Sequence, residues 1–328
     1  MAAISVGDAL GAGFSLIGRR PLAVLAWGAA NVAAFACAWA VLLPVWLSMI
    51  AEFPRAEQTP GPPGPAQLGR MLSHMAMAQG AGGLVSMLQL AVGAVLTCAV
   101  TRAIVRPQER AWAYMRLGAP ELFVAVLVIA AGFVLAFGFI ALAIPTLIAI
   151  AILVATHHAA FAVAAAALAA LAAIAALAYC ALRLSIVPAM MVSDGQFHLF
   201  DAWTVTRGAV GALFLVGLCL VLIAWAMELV LLIAGLVIVA MTIHMPAGGQ
   251  EALRAIAEQG PGPLLARAAP ALIAMAVVGV FVLGALRAIM VAPWARAFLD
   301  LESAPASPGA APSAPPTATS PAPSLSGV

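Results

Sequence analysis

The sequence contains no lysine, only two tyrosines and four cysteines, and very little charge. Its 14 arginines and 12 acidic residues amount to 8% of 328 positions. That scarcity excludes an ordinary soluble domain, whose surface needs roughly 25% charged residues. Size cannot absorb the deficit, because larger folded chains still expose much of their surface. The cysteines (Cys37, Cys98, Cys180 and Cys219) lie inside apolar runs without CxxC or Cys/His spacing. They read as small hydrophobes, and neither a disulfide framework nor a metal site is predicted. A net charge of +2 carries no electrostatic footprint for nucleic acid. The absence of lysine has two readings: a preference for the planar guanidinium fork that pairs with phosphate, or a GC-rich coding bias that also enriches alanine.

What fills the chain instead is apolar: 65% hydrophobic residues and a mean hydropathy of +1.14. Apolar stretches of about 18 residues or more, nearly free of charge, are transmembrane helix candidates. The pattern predicts an all-α polytopic membrane bundle with six spans, at about 21–48, 82–104, 120–155, 159–187, 209–243 and 269–292. Residues 122–182 contain no charge and admit two long spans or three short ones. The only polar break there, Thr156-His157-His158, favours two spans with a tight turn, which leaves Pro145 inside the third helix as a kink. The first apolar run is much longer than a secretory h-region of roughly 7–15 residues, so it is expected to remain as an anchor.

Arginine distribution sets the expected orientation. Arg19, Arg20, Arg102, Arg106, Arg110, Arg116, Arg183, Arg207, Arg287 and Arg296 fall on one side of a six-span chain. Arg55, Arg70, Arg254 and Arg267 fall on the other, in longer loops with Glu52, Glu57, Glu251 and Glu258. The arginine excess marks the cytoplasmic face, which predicts a bacterial inner-membrane protein with both termini inside. A seven-span chain would scatter these charges. The tail 303–328, almost entirely Pro, Ala, Ser, Thr and Gly, is predicted to be disordered. The loop 52–65 is similarly rich in Pro and Gly, with a short helix expected from about Ala66.

A threefold pattern runs through the chain. "AWAYMRLG" (111–118) and "AWTVTRG" (202–208) share Ala-Trp-x-x-x-Arg before an odd-numbered span, and "ISVGDALGAGFSLIGRRP" (4–21) ends on arginine before the first. In this last stretch Val6, Leu10, Phe14 and Ile17 share one helical face and Asp8, Ser15 and Arg19 another, as in a helix lying in the headgroup plane. Ser5 and Asp8 form its start signal, and Ser193 or Asp194 is a candidate cap for the third copy. Even-numbered spans end on "RAIVRP" (102–107), "RLSIVP" (183–188) and "RAIMVAP" (287–293). Each arginine is expected to extend its guanidinium into the headgroups, and each proline to stop the helix. These matches predict three hairpin modules with short interfacial helices, at about 4–107, 108–188 and 194–293.

The stretches "FSLIGRRP" (14–21), "YMRLGAPEL" (114–122), "SIVPAM" (185–190), "FHLFDAWTVTRG" (197–208) and "APWARAF" (292–298) carry a resemblance. Across residues 1–300 the chain resembles a family of uncharacterised bacterial multi-pass inner-membrane proteins. That family is related to the membrane domain attached to some glycerophosphodiester phosphodiesterases. The resemblance implies a six-helix integral membrane protein and no established activity. The phosphodiesterase domain, with its metal-binding His, Glu and Asp residues, has no counterpart here, so phosphodiesterase activity is not expected.

Candidate chemistry is sparse. Glu228 starts about 19 residues into the fifth span, roughly 28 Å along the helix, where an ionisable group is costly and marks a site by default. Asn31 and Gln89 are candidate partners at comparable depth. Together they would serve a transporter of small molecules or lipids, provided a polar cavity reaches Glu228; the alternative is a hydrogen-bonded Glu228 near the outer headgroups. His157-His158 reads as a solvated turn, and His74, His198 and His244 stand singly. No catalytic constellation, metal set or cofactor loop is recognisable. Membrane lipids are the expected partners, with Arg102, Arg183, Arg287, Arg116, Arg207, Trp112 and Trp203 as headgroup candidates. The leading expectation is a non-enzymatic protein that contacts lipid or organises the membrane.

Overall fold

A computed structural model describes residues 4–57, 64–109, 112–155, 159–242 and 262–303. Among these residues all regular structure is helical: α1 (Val6–Arg19), α2 (Pro21–Glu57), α3 (Pro65–Val105), a 3-10 turn (Trp112–Tyr114), α4 (Ala119–Ala155), α5 (Ala159–Leu184), α6 (Val187–Asp194), α7 (Asp201–Val205), α8 (Val210–Thr242) and α9 (Gly262–Glu302). Six helical stretches are long and apolar enough to cross a membrane. Two helices, α4 and α5, take up the described residues of 122–182, and Pro145 lies inside α4. The tight turn expected at 156–158, residues 243–261, Arg110 and the tail beyond Ser303 lie outside the described residues.

Several boundaries differ from the sequence pattern. The Pro/Gly-rich stretch from Glu52 does not begin as a loop, because α2 continues helically to Glu57. No separate short helix precedes the second span. Pro65 occupies the first turn of α3, where its missing N–H costs nothing, and the helix runs unbroken for 41 residues. The three Arg–Pro exits also diverge. The helix stops before Pro107, while Pro188 opens the short helix α6 and Pro293 lies within α9. A membrane-helix proline is tolerated where neighbours re-satisfy the freed carbonyl, so proline alone does not fix a helix end.

Interfacial helices are equally unequal. The first copy, α1, has 14 residues and the predicted cap, with Ser5 Oγ accepting from the Asp8 N–H at 3.3 Å. It buries Ala9, Ala12, Gly13 and Leu16 rather than the expected stripe, leaving Phe14 54% exposed. The reason is close packing on α9: a Cβ built on Gly13 would stand 2.8 Å from the Ile289 Cα. The second copy shrinks to the 3-10 turn and the third to five residues of α7. Neither Ser193 nor Asp194 caps α7; Asp194 instead accepts from the Gln196 N–H at 2.9 Å, in the turn after α6.

Consecutive long helices pack together, α2 on α3, α4 on α5 and α8 on α9, while α9 also lies along α1, α2 and α3. Its crossing with α2 brings two backbones into contact. A Cβ on Gly28 would fall on the Val280 carbonyl oxygen, and one on Gly284 would fall on that of Val24. Small residues permit such approach where lipid offers no hydrophobic drive, and helices associate through contact alone. The core gathers at the end where the 106–118 and 195–209 connectors meet α1. There Trp27, Leu96, Ile186, Met191 and Leu213 are fully buried.

Candidate functional site

The described residues of the 106–118 connector lie outside α-helix, so their backbone polar groups need partners. Two helices supply them. From α2, the buried Trp27 donates its indole N–H to the Ala113 carbonyl at 2.8 Å. From α3, Arg102 Nη1 donates to the Tyr114 carbonyl at 2.9 Å. Between α1 and α2, the Arg20 guanidinium lies over the Tyr114 ring, 5.5 Å from its centroid. Ala113 and Tyr114 adopt left-handed φ values of 50° and 58°. Such geometry costs non-glycine residues of order 1 kcal/mol or more, and these contacts hold it.

Arg102 does not extend into solvent. Its side chain is 5% exposed and forms an ion pair from Nη2 to Glu121 Oε1 at 2.6 Å and another from Nε to Glu109 Oε2 at 3.2 Å. Arg106 completes the network, with Nη1 3.0 Å from Glu109 Oε1 and Nη2 donating to the Ser193 carbonyl at 2.6 Å. Burying a guanidinium is costly unless its charge and donors are matched, and here two carboxylates and a carbonyl match them. The network therefore joins α3, α4 and α6 through one arginine pair.

Arg183 binds its connector in a parallel manner but without a carboxylate. Nη1 donates to the Trp203 carbonyl at 2.7 Å and Nη2 to the Tyr179 hydroxyl at 2.6 Å. The guanidinium carbon stands 4.9 Å from the Tyr179 centroid and 4.7 Å from that of Trp203. Two aromatic faces thus take the place of a counterion, an arrangement worth about 2 kcal/mol or more when desolvated. The expectation that Arg102 and Arg183 present their charges to headgroups is corrected: protein groups take up both guanidinium ions. Arg287 is half-buried on α9 beside Gly93 of α3, with no hydrogen bond or ion pair among the described residues.

The remaining arginine candidates stand outward. Arg116 and Arg207 are exposed on the two connectors, with Trp112 77% exposed and Trp203 38%. Arg116 lines a cavity of about 240 Å³ together with Arg102, Arg106, Glu109, Gly118 and Glu121. A second cavity, about 230 Å³, opens beside Thr97, Thr101, Ser185 and Trp294. At the second connector His198 is clamped between two aspartates. Its Nδ1 lies 2.6 Å from Asp201 Oδ2, in hydrogen-bond alignment. Nε2 lies 2.6 Å from Asp194 Oδ2, an ion pair when the ring is protonated. The Asp201 hydrogen bond raises the His198 pKa above 6.5 and outweighs an opposing desolvation, and the charge of Asp194 adds to the rise.

Glu228 does not join Asn31 or Gln89. It is exposed on α8 beside the equally outward Trp225, and it lines neither cavity. Asn31 is buried and donates to the Trp27 carbonyl one turn earlier at 3.3 Å, while Gln89 is half-buried on α3. Sequence reasoning passed over Glu109 and Glu121, the partners of Arg102. The usable signal was a carboxylate pair flanking a connector whose preceding helix ends on arginine. Among the described residues no three His, Cys, Asp or Glu side chains gather as a metal set. Comparison with protein-family models, with curated proteins and with solved structures finds no match.

Proposed function

We propose that this chain is a non-enzymatic, multi-pass inner-membrane protein whose connector end faces the cytoplasm and contacts lipid headgroups. The six spans form three hairpin modules, about 4–107, 108–188 and 194–293, in keeping with the family the sequence resembles. The carrying observation is a division of labour among arginines at one end of the bundle. Arg102 and Arg183 are consumed inside, fixing the two connectors, while Arg116 and Arg207 are left outward beside exposed Trp112 and Trp203. Exposed tryptophan with arginine is the composition of a membrane–water interface, where the indole takes headgroup depth and the guanidinium meets phosphate. The packing of α2 on α3, α4 on α5 and α8 on α9 supports the hairpin reading.

The test is lipid retention. Protein carrying Arg116→Gln and Arg207→Gln together, extracted in mild detergent, is expected to lose several-fold of its co-purifying phospholipid while keeping its melting temperature. Unchanged retention by the folded variant removes the headgroup role. Maleimide labelling of single cysteines at Ser5 and Ser303 checks orientation, with both expected to react from the cytoplasmic side only.

A further inference from the structure

We infer that the cavity between the 106–118 connector, the start of α4 and the end of α6 binds the headgroup of an ethanolamine phospholipid, its ammonium on Glu121 and its phosphate on Arg116. This rests on the headgroup reading above and gives it a ligand. The argument begins with which valences are already used. Arg102 spends its donors on Glu121 Oε1, Glu109 Oε2 and the Tyr114 carbonyl. Arg106 uses two of its five N–H donors on Glu109 Oε1 and the Ser193 carbonyl. Two other groups of this wall are unpartnered. Glu121 is 4% exposed, yet its second carboxylate oxygen, Oε2, is buried without a hydrogen-bond partner. Arg116, on the same cavity wall, has no hydrogen bond or ion pair among the described residues.

One free anionic acceptor and one free cation in a single cavity of about 240 Å³ specify a zwitterion. An inorganic phosphate would satisfy Arg116 but meet the free Glu121 oxygen with repulsion, and a lone amine would leave Arg116 unmatched. A primary ammonium joined to a phosphate satisfies both ends through charge-assisted hydrogen bonds. A choline headgroup has no N–H to donate, so the same cavity discriminates against it. Gly118 borders the unpartnered oxygen, since a Cβ there would stand 3.4 Å from Glu121 Oε2. The surroundings of the cavity select a lipid over a soluble phosphoamine. Leu117, on the cavity wall, is 84% exposed, and nearby Trp112 and Leu122 also stand outward, apolar groups suited to acyl chains.

Native mass spectrometry of the full chain, delipidated in detergent and titrated with dioleoyl phosphatidylethanolamine, phosphatidylcholine or phosphatidylglycerol, tests this. The ethanolamine lipid is expected to bind at least tenfold tighter than the other two. Glu121→Gln should bring it to the choline level, and Arg116→Gln should weaken the ethanolamine and glycerol lipids together. Gly118→Val, which closes the approach to Oε2 without touching an ion pair, should abolish the preference with the melting temperature retained. Soluble phosphoethanolamine should not compete at lipid concentrations; competition there assigns the site to a soluble ligand and overturns the lipid. Equal binding of ethanolamine and choline lipids, a glycerol lipid as tight as the ethanolamine one, or an unchanged preference in folded Glu121→Gln or Gly118→Val overturns the site. If lipids then still bind without preference and Arg116→Gln/Arg207→Gln reduces them, the headgroup reading survives this failure. Absence of any lipid adduct removes both.

Discussion

At the connector end, Trp27, Leu96, Met191 and Leu213 are sealed from solvent and a guanidinium is buried between two carboxylates. Along α4 and α5 toward their far ends, Phe133, Leu147, Phe161 and Leu171 all stand open, and no described residue between Val128 and Leu182 is buried. Both regions are strongly apolar, so hydrophobicity does not separate them. What separates them is irregular backbone. The far halves are continuous helix, whose polar groups are satisfied internally, so lipid can solvate them without a protein partner. The connectors at 106–118 and 195–209 break the helical ladder and must borrow donors from neighbours. Trp27, Arg102 and Arg183 each donate to a connector carbonyl, and the helices that carry them are thereby drawn into one packed end.

Glycine substitutions break that comparison most sharply. Gly28→Val places side-chain atoms where the Val280 carbonyl lies, so α2 and α9 must separate. The cost exceeds the ~1–3 kcal/mol of ordinary overpacking, and loss of monodisperse protein in detergent is the expected result. Gly138, in the far half of α4, has nothing within 4 Å of a built Cβ. There Gly138→Ala should raise stability by roughly 0.5–1 kcal/mol through helix propensity. Next in size is Arg102→Ala, which leaves Glu121 buried and uncompensated, at about 3–5 kcal/mol. Arg102→Met with Glu121→Leu should recover most of that loss, since Glu109 keeps Arg106. A double variant no better than the single one argues against the ion pair as the source.

Hydropathy alone located the spans, because a bilayer demands apolar length wherever a helix crosses; the first predicted span, 21–48, coincides with Pro21–Ser48. The repeated Ala-Trp-x-x-x-Arg stretches also pointed to the connectors as special. What the sequence could not display is which arginines turn inward. Arg102 and Arg116 look alike as interfacial cations, and only the fold places Glu109 and Glu121 around the first and leaves the second free. Gly28 and Gly284 were similarly silent, since a close crossing depends on residues far apart in the chain and neither lies in a GxxxG pattern. Glu228 misled for the opposite reason. An ionisable residue inside a span marks a site only if it faces the bundle, and helical phase relative to distant neighbours decides that.

A smaller effect separates the two connectors. The 106–118 connector is held by permanently charged arginines, whereas His198 in the 195–209 connector titrates. Its pKa is raised above 6.5, led by the hydrogen bond to Asp201. The protonated form is therefore favoured by folding, and its stabilisation is fully present below about pH 6.5 and fades as pH rises through the folded-state value. The melting temperature of the wild type should exceed that of His198→Gln at about pH 6, and the gap should close toward about pH 9. A gap independent of pH would show that packing, not charge, holds this turn.

The smallest effects belong to the far half, where they measure what surrounds it. Leu147 and Leu171 are 64% and 63% exposed, so truncation opens no cavity and removes little protein contact. Leu147→Ala and Leu171→Ala should each change stability by no more than about 0.5 kcal/mol, provided lipid replaces the lost methyl groups. Leu213→Ala, at a fully buried position of the connector end, should cost about 2–5 kcal/mol by the same measurement. Reversible unfolding in bicelles at two protein concentrations distinguishes the outcomes. A loss of 2 kcal/mol or so at Leu147 or Leu171 that grows with concentration would mean that these surfaces pack against a second copy. The far half would then be an interface, and the asymmetry between the two ends would belong to the protomer alone.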